Sequence, residues 1–212
     1  MRRSALCLLL LLAAGCAASS PAPAPQGPPC ADQSALLAGS WTRPQTPLAL
    51  RGDFALRLGG RDFDGLLAIR LAPGGEQADV LVMSPMGLTV LDLALGPQTT
   101  TLRRALPALE PAAAPLAAAL RRIFLLPPGP DDPCLAAGSE RTLFRNTFEG
   151  PVACTLAAPS GEMLAKSGPA AGGFRVRYGD YAPAGGATLP GSVGYADGQG
   201  LGLTLRLEAM TP

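Results

Sequence analysis

From Leu48 onward apolar and polar residues alternate with a period of two. Phe54, Leu56 and Leu58 fall on one side of an extended chain, with Ala55 and Arg57 on the other. Beyond Gly59-Gly60 the pattern repeats in Phe63, Leu67, Ile69 and Leu71, opposite Asp62, Asp64 and Arg70. Residues 80–83 are apolar on both faces, and residues 90–95 alternate again after Ser84-Pro85-Met86-Gly87. Short Gly/Pro connections between such runs predict three consecutive antiparallel hairpins. The period then changes. Residues 112–124 are alanine-rich, with Leu116, Leu120, Ile123 and Phe124 at helical spacing. A helix is predicted over 114–125, with Pro115 in its first turn, Arg121 and Arg122 favouring the dipole at its end, and Pro127-Pro128 stopping it. Strands resume at 141–148, 152–157, 174–178 and 201–207. The last sets Leu201, Leu203, Leu205 and Leu207 against Gly202, Thr204, Arg206 and Glu208. A short helix is predicted within 31–40, before Trp41.

These elements predict a mainly β, α+β fold: one antiparallel sheet curved by its own twist, an incomplete β-barrel with a helix over one side. Such a sheet under an apolar helix can enclose a cavity. The pattern alone favours a fully packed core.

The first residues carry a different signal. Met1-Arg2-Arg3 is a positive n-region, followed by an apolar run over 5–14 that is too short to span a bilayer. The run closes in Leu12-Ala13-Ala14-Gly15-Cys16, which resembles a lipobox. The resemblance implies cleavage after residue 15 and acylation of Cys16. More than one chain on that cysteine anchors stably, each buried methylene contributing about 0.8 kcal/mol. Residue 17 is Ala rather than Asp, which by resemblance to enterobacterial lipoprotein sorting favours the outer membrane. The expected organisation is a signal peptide at 1–15, a lipidated Pro/Ala-rich tether at 16–30 and a single domain at 31–212.

Composition narrows the chemistry. The chain has 17 Lys+Arg and 16 Asp+Glu. Loss of Arg2 and Arg3 with the leader would bring the mature net charge to −1, so no basic surface exists to neutralise phosphates and nucleic acid is not an expected partner. There is no histidine, which removes the commonest general base and metal ligand and any Ser-His-Asp or Cys-His site. Asp62 and Asp64 read as a solvent-facing alternation rather than a metal site, and Lys166-Ser167 as loop neighbours with no reason to converge. Gly191-Ser192-Val193-Gly194 lacks nucleophile-elbow spacing, and Asp131-Asp132-Pro133 reads as a turn. No catalytic residue, metal or cofactor is expected. Besides Cys16 the mature chain holds Cys30, Cys134 and Cys154, which in an oxidising periplasm predict one bridge and one leftover thiol. Cys134 with Cys154 is the candidate pair, and Cys30 with Cys134 is equally open.

Several segments, in order, resemble the LolB-type outer-membrane receptors of lipoprotein sorting. Residues 80–95 (VLVMSPMGLTVLDLAL) look like that family's hydrophobic hairpin with its Asn-Pro-Leu-Gly loop. Residues 50–55 (LRGDFA) resemble its opening strand, and 120–127 (LRRIFLLP) its Leu-Arg-x-Trp-Ile-x-Gly-Leu-Pro segment. Residues 174–181 (FRVRYGDY), followed by Leu189-Pro190, resemble its Trp-x-Val-x-Tyr-x-x-Tyr…Pro ending. Ser84 and Met86 depart from the family's Asn and Leu, Phe124 and Phe174 stand near its tryptophans, and residues 128–158 have no clear counterpart. The resemblance implies an incomplete barrel with an interior for acyl chains of lipoproteins or lipids, delivered by a periplasmic carrier and passed to the outer membrane. It implies a monomer, lipid-anchored on the periplasmic face. It makes Phe54, Leu56, Leu67, Ile69, Val82, Leu91, Leu93, Leu116 and Leu120 candidates for the cavity lining. It also turns Pro85, Met86 and Gly87 into a membrane-insertion loop, although pattern alone folds Met86 into the core. The alternative is a non-catalytic structural or assembly lipoprotein of an envelope complex.

Overall fold

The computed structural model describes residues 27–107, 109–184 and 187–210; the leader and Cys16 lie outside them. After a short helix α1 (Gln33–Ala38) come five strands: β1 (Leu48–Leu58), β2 (Arg61–Leu71), β3 (Ala78–Met83), β4 (Thr89–Leu95) and β5 (Thr100–Ala105). Helix α2 (Glu110–Phe124) follows. Seven more strands complete the chain: β6 (Cys134–Ala137), β7 (Glu140–Thr147), β8 (Gly150–Ala157), β9 (Met163–Gly168), β10 (Phe174–Ala184), β11 (Ala187–Asp197) and β12 (Gly202–Ala209). All twelve form one antiparallel sheet in the order β5-β4-β3-β2-β1-β12-β11-β10-β9-β8-β7-β6.

The path is simple. The chain winds from the centre of the sheet out to one edge at β5, crosses as α2 to the opposite edge at β6, and winds back to the centre as β12. Twelve strands about 4.8 Å apart would span roughly 50 Å if flat. A helix of 15 residues is only about 22 Å long. The sheet curls around α2, which touches β4 and β5 on one side and β11 on the other.

The alternation read from the sequence places the core. Leu203 and Leu205 of β12 are buried between exposed Thr204 and Arg206, and Leu67, Ile69 and Leu71 of β2 turn the same way. At two strand glycines the neighbouring backbone comes too close for a side chain. A Cβ on Gly52 would stand 1.8 Å from the Arg206 carbonyl oxygen of β12, and one on Gly65 would stand 2.2 Å from that of Met83. The Phe54 ring lies over Gly65, its partner in the β1–β2 register, and fills the space a side chain would take. Because backbone cannot yield, Gly52→Ala is expected to destabilise by about 2–3 kcal/mol or more, read as a lower urea midpoint.

Helix α2 starts earlier than predicted, at Glu110. Pro111 rather than Pro115 occupies the first turn, where a missing N–H costs nothing. Pro115 sits inside the helix, so the bond its N–H would give to the Pro111 carbonyl is lost and the first turn is held more weakly. Strands β5, β6, β9 and β11 were not legible in the pattern.

The bridge joins Cys30 to Cys134, leaving Cys154 as a buried thiol, so the candidate pair Cys134–Cys154 is corrected. The register explains the choice. Cys134 lies opposite Leu143, and Leu143 opposite Cys154, so the rejected pair stands two strand spacings, roughly 9–10 Å, apart. Cys30 instead arrives on the free side of β6, where its N–H donates to the Cys134 carbonyl and the Ala136 N–H donates to that of Pro28. The end of the expected tether, from Gly27, is thus laid along β6.

Candidate functional site

Between β1–β4 and the N-terminal half of α2 the core opens into an apolar cavity of about 280 Å³. Five of the nine predicted lining residues meet there: Phe54, Leu56, Val82, Leu91 and Leu116. Phe63, Met83, Val90, Leu109 and Ala112 complete the wall. Leu67, Ile69, Leu93 and Leu120 lie deeper, in closely packed core. One end of the concavity is therefore filled and the other hollow. The hydrophobic alternation runs unchanged through both, so it could not mark the boundary; the small side chains of the helix, Ala112 and Ala113, are the nearest signal.

The cavity opens where the sheet forks. β2 and β3 pair only from Leu66–Met83 to Leu71–Ala78, so beyond Leu66 the two strands part. Asp64 stands on one side of the fork and Ser84 on the other. The β3–β4 hairpin continues past the fork as a projecting tip. Its turn is built by Ser84, whose N–H donates to the Leu88 carbonyl at 2.8 Å and whose Oγ accepts the Leu88 N–H at 3.2 Å. Gly87 closes it with φ near 79° and an N–H donated to the Ser84 carbonyl. Pro85 and Gly87 leave Met86 at the apex, 84 % exposed, and Leu88 beside it is 63 % exposed. Two large apolar side chains at one tip, next to an apolar cavity, are unlike a scattered surface residue.

No protein-family model matches the chain, and no curated protein matches it by sequence. Solved structures do match. A LolA superfamily protein from Nitrosomonas europaea superposes with a TM-score of 0.55 at 12% identity, over 84% of this chain and 91% of the other. A domain from Vibrio parahaemolyticus, described as outer membrane lipoprotein-sorting, superposes with a TM-score of 0.50 at 11% identity, over 84% and 89%. The fold is LolA-like.

In this LolA-like frame polar side chains anchor the helix covering the cavity at its C-terminal end. Arg121 and Arg122 do more than complement the dipole: both are buried and reach to opposite sides of the curled sheet. Arg121 donates to the Gly96 carbonyl at 2.9 Å, the Thr99 carbonyl at 3.1 Å and the Thr100 hydroxyl. Arg122 donates to Glu149 at 2.8 Å and to the Tyr195 hydroxyl at 2.6 Å, with Asp197 at 4.0 Å, and stacks over Phe174. Lys166 lies in β9, not in a loop. It is fully buried and donates to the Ile123 and Leu125 carbonyls at 3.1 and 2.9 Å, and the Tyr178 hydroxyl donates to Ile123 at 2.6 Å. The last carbonyls of α2 are thus held from the sheet side. Among the described residues no side-chain hydrogen bond ties the first turns, above the cavity, to the sheet: the Glu110 N–H donates to the Leu106 carbonyl at 3.1 Å, and the bond at Pro115 is lost.

Burial pushes the Lys166 ammonium down to about 8 from 10.5. It pushes the neighbouring Cys154 thiol up to about 11 from 9.0, and the Tyr178 phenol well above 10.0. A neutral amine still has two N–H groups for its two carbonyls. The unfolded lysine keeps its proton up to 10.5 while the folded one sheds it near 8, so stability is gained as pH rises through 8. Cys154 acts oppositely above 9, as the unfolded thiol ionises and the folded one does not, and Tyr178 does so above 10. The urea midpoint is therefore expected to climb between pH 8 and 9 and to flatten or fall beyond. Cys154→Ala should extend the climb towards pH 10.

The other candidates do not assemble. Asp62 pairs with Arg57 at 2.9 Å on the surface, and Lys166 and Ser167 alternate across β9. Asp132 accepts the Gly129 N–H in the predicted turn. Among the described residues no cluster of acidic or cysteine side chains is arranged to hold a metal. A larger, more open depression of about 460 Å³ on the outer face of the sheet mixes Arg70, Asp79, Thr101 and Arg103 with Pro47, Ala72 and Pro73 and offers no apolar enclosure.

Proposed function

We propose that this chain is a non-catalytic envelope lipoprotein, anchored through Cys16 to the periplasmic face of the outer membrane, that receives acyl chains of lipoproteins or lipids and passes them to the bilayer. The observation that carries the reading is the apolar cavity opening directly beside the exposed Met86–Leu88 tip. The kinship in fold with the lipoprotein-sorting domain supports it, and a periplasmic carrier is the expected donor of cargo. At about 280 Å³ the cavity lies at the lower limit of ligand pockets, roughly 300–1,000 Å³, and suits one chain. Larger cargo requires the N-terminal half of α2 to lift about Pro115 while Lys166, Arg121 and Arg122 hold the other half. Affinity comes from apolar burial, and release follows when the tip meets a bilayer that offers the same burial at lower cost.

The test is uptake of a fluorescent triacylated lipopeptide by the Cys16→Ala protein, followed by transfer to liposomes. Saturable uptake at micromolar concentration or below is expected. Inserting Met86 is worth about 2 kcal/mol of apolar burial. Met86→Glu should therefore leave uptake intact and lower transfer by about tenfold or more. A folded protein that takes up no lipopeptide would instead be a scaffold lipoprotein of an envelope complex.

A further inference from the structure

The fork that opens the cavity also leaves a strand without a neighbour. β2 pairs with β1 along its whole length, from Leu48–Leu71 to Leu58–Arg61. On its other side the pairing with β3 ends at Leu66–Met83. Among the described residues, the backbone of Arg61–Asp64 on that side meets no strand and no other backbone partner. Phe63 and Asp64, within this bare stretch, also line the cavity mouth. Apolar burial and an unsatisfied strand edge therefore occupy one opening. A free acid or a glyceride would use only the first. An acyl chain attached to an extended peptide would use both.

We propose that the cargo is an acylated peptide whose first residues add as a short strand to the open edge of β2 while its acyl chain fills the cavity. The inference rests on the acyl-cavity reading and refines it. Edge addition reads backbone rather than side chains, so it accepts many sequences provided they are extended and unfolded. It also sets a direction: the acyl chain enters at Phe63 and the peptide leaves past the Ser84–Leu88 tip. The molecule already uses such pairing once, where Gly27–Cys30 is laid along β6 through the Pro28 carbonyl and the Cys30 N–H. That edge is closed by a covalent bond, whereas the edge of β2 stays open.

The experiment compares three probes on the Cys16→Ala chain by displacement of an apolar dye: an N-palmitoyl hexapeptide of Ser and Ala, the same hexapeptide with N-methylated backbone amides, and N-palmitoyl methylamide. Backbone pairing predicts that the plain hexapeptide binds about tenfold tighter than the methylamide, the order expected of two net hydrogen bonds. N-methylation should erase that gain, and hydrogen exchange at residues 61–64 should slow only with the plain hexapeptide. Equal binding of all three, or a gain that survives N-methylation, overturns the strand addition and leaves the cavity standing. Binding of none by a folded protein overturns the cavity reading and this inference together.

Discussion

Replacing Arg122 with methionine is expected to cost about 3–5 kcal/mol, the range for breaking a buried ion pair by removing one partner. The arginine side chain is only 6 % exposed, and its partners Glu149 and Asp197 are nearly as enclosed. Methionine would fill much of the volume, but it would leave the Glu149 carboxylate facing a hydrophobic wall and the Tyr195 hydroxyl without its donor at 2.6 Å. The penalty therefore comes mainly from the orphaned groups, not from the lost attraction. The matching prediction is that Arg122→Met with Glu149→Gln recovers part of the loss, because the second change removes the uncompensated charge. Urea denaturation of the two single variants and the double variant measures the coupling. Equal and additive losses would show that Arg122 stabilises through packing on Phe174 alone.

Reducing the Cys30–Cys134 bond is expected to lower stability by about 4–5 kcal/mol, since it opens a loop of roughly a hundred residues in the unfolded chain. The sequence separation is 104. Cys134→Ser should reproduce the effect without reductant, whereas Cys154→Ser, which touches no bridge, should leave oxidised protein far closer to the parent. Peptide mapping of the oxidised protein gives an independent check through the linked Cys30 and Cys134 fragments. The consequence is partly local. Without the bridge, Gly27–Cys30 keeps only its backbone bonds to β6, and that edge can open.

The sequence made some of this legible and concealed the rest for identifiable reasons. Strands β1, β2, β4 and β12 announce themselves because each has one buried and one solvent face. β5 is exposed nearly throughout, so Thr100–Ala105 shows no alternation at all. β11 carries Pro190 and two glycines, which read as loop until their neighbours β10 and β12 are in place. The Ser84–Gly87 turn and the exposure of Met86 follow from turn chemistry and resemblance together. Leu88, equally part of the tip, falls between the turn at Ser84–Gly87 and the alternation from Val90, and belongs to neither pattern. Lys166 was hidden most thoroughly, since a charge is expected outside. One clue existed: every other basic residue of the chain is arginine. A primary amine can hold two helix carbonyls and still shed its charge, which a guanidinium cannot.

The sheet is two meanders stitched along a single seam. Strands β1 to β5 form from neighbours in sequence, and so do β6 to β12, but among the described residues the two sets of strands pair only where β1 meets β12, from Leu50–Ala209 to Arg57–Gly202. Those partners are about 145 to 160 residues apart, which makes the seam the slowest contact to close. A chain emerging from its N-terminus must therefore hold one edge of β1 bare, with only β2 beside it, until β12 arrives. The eight residues of β12, outermost in sequence and innermost in space, decide when this protein becomes one body.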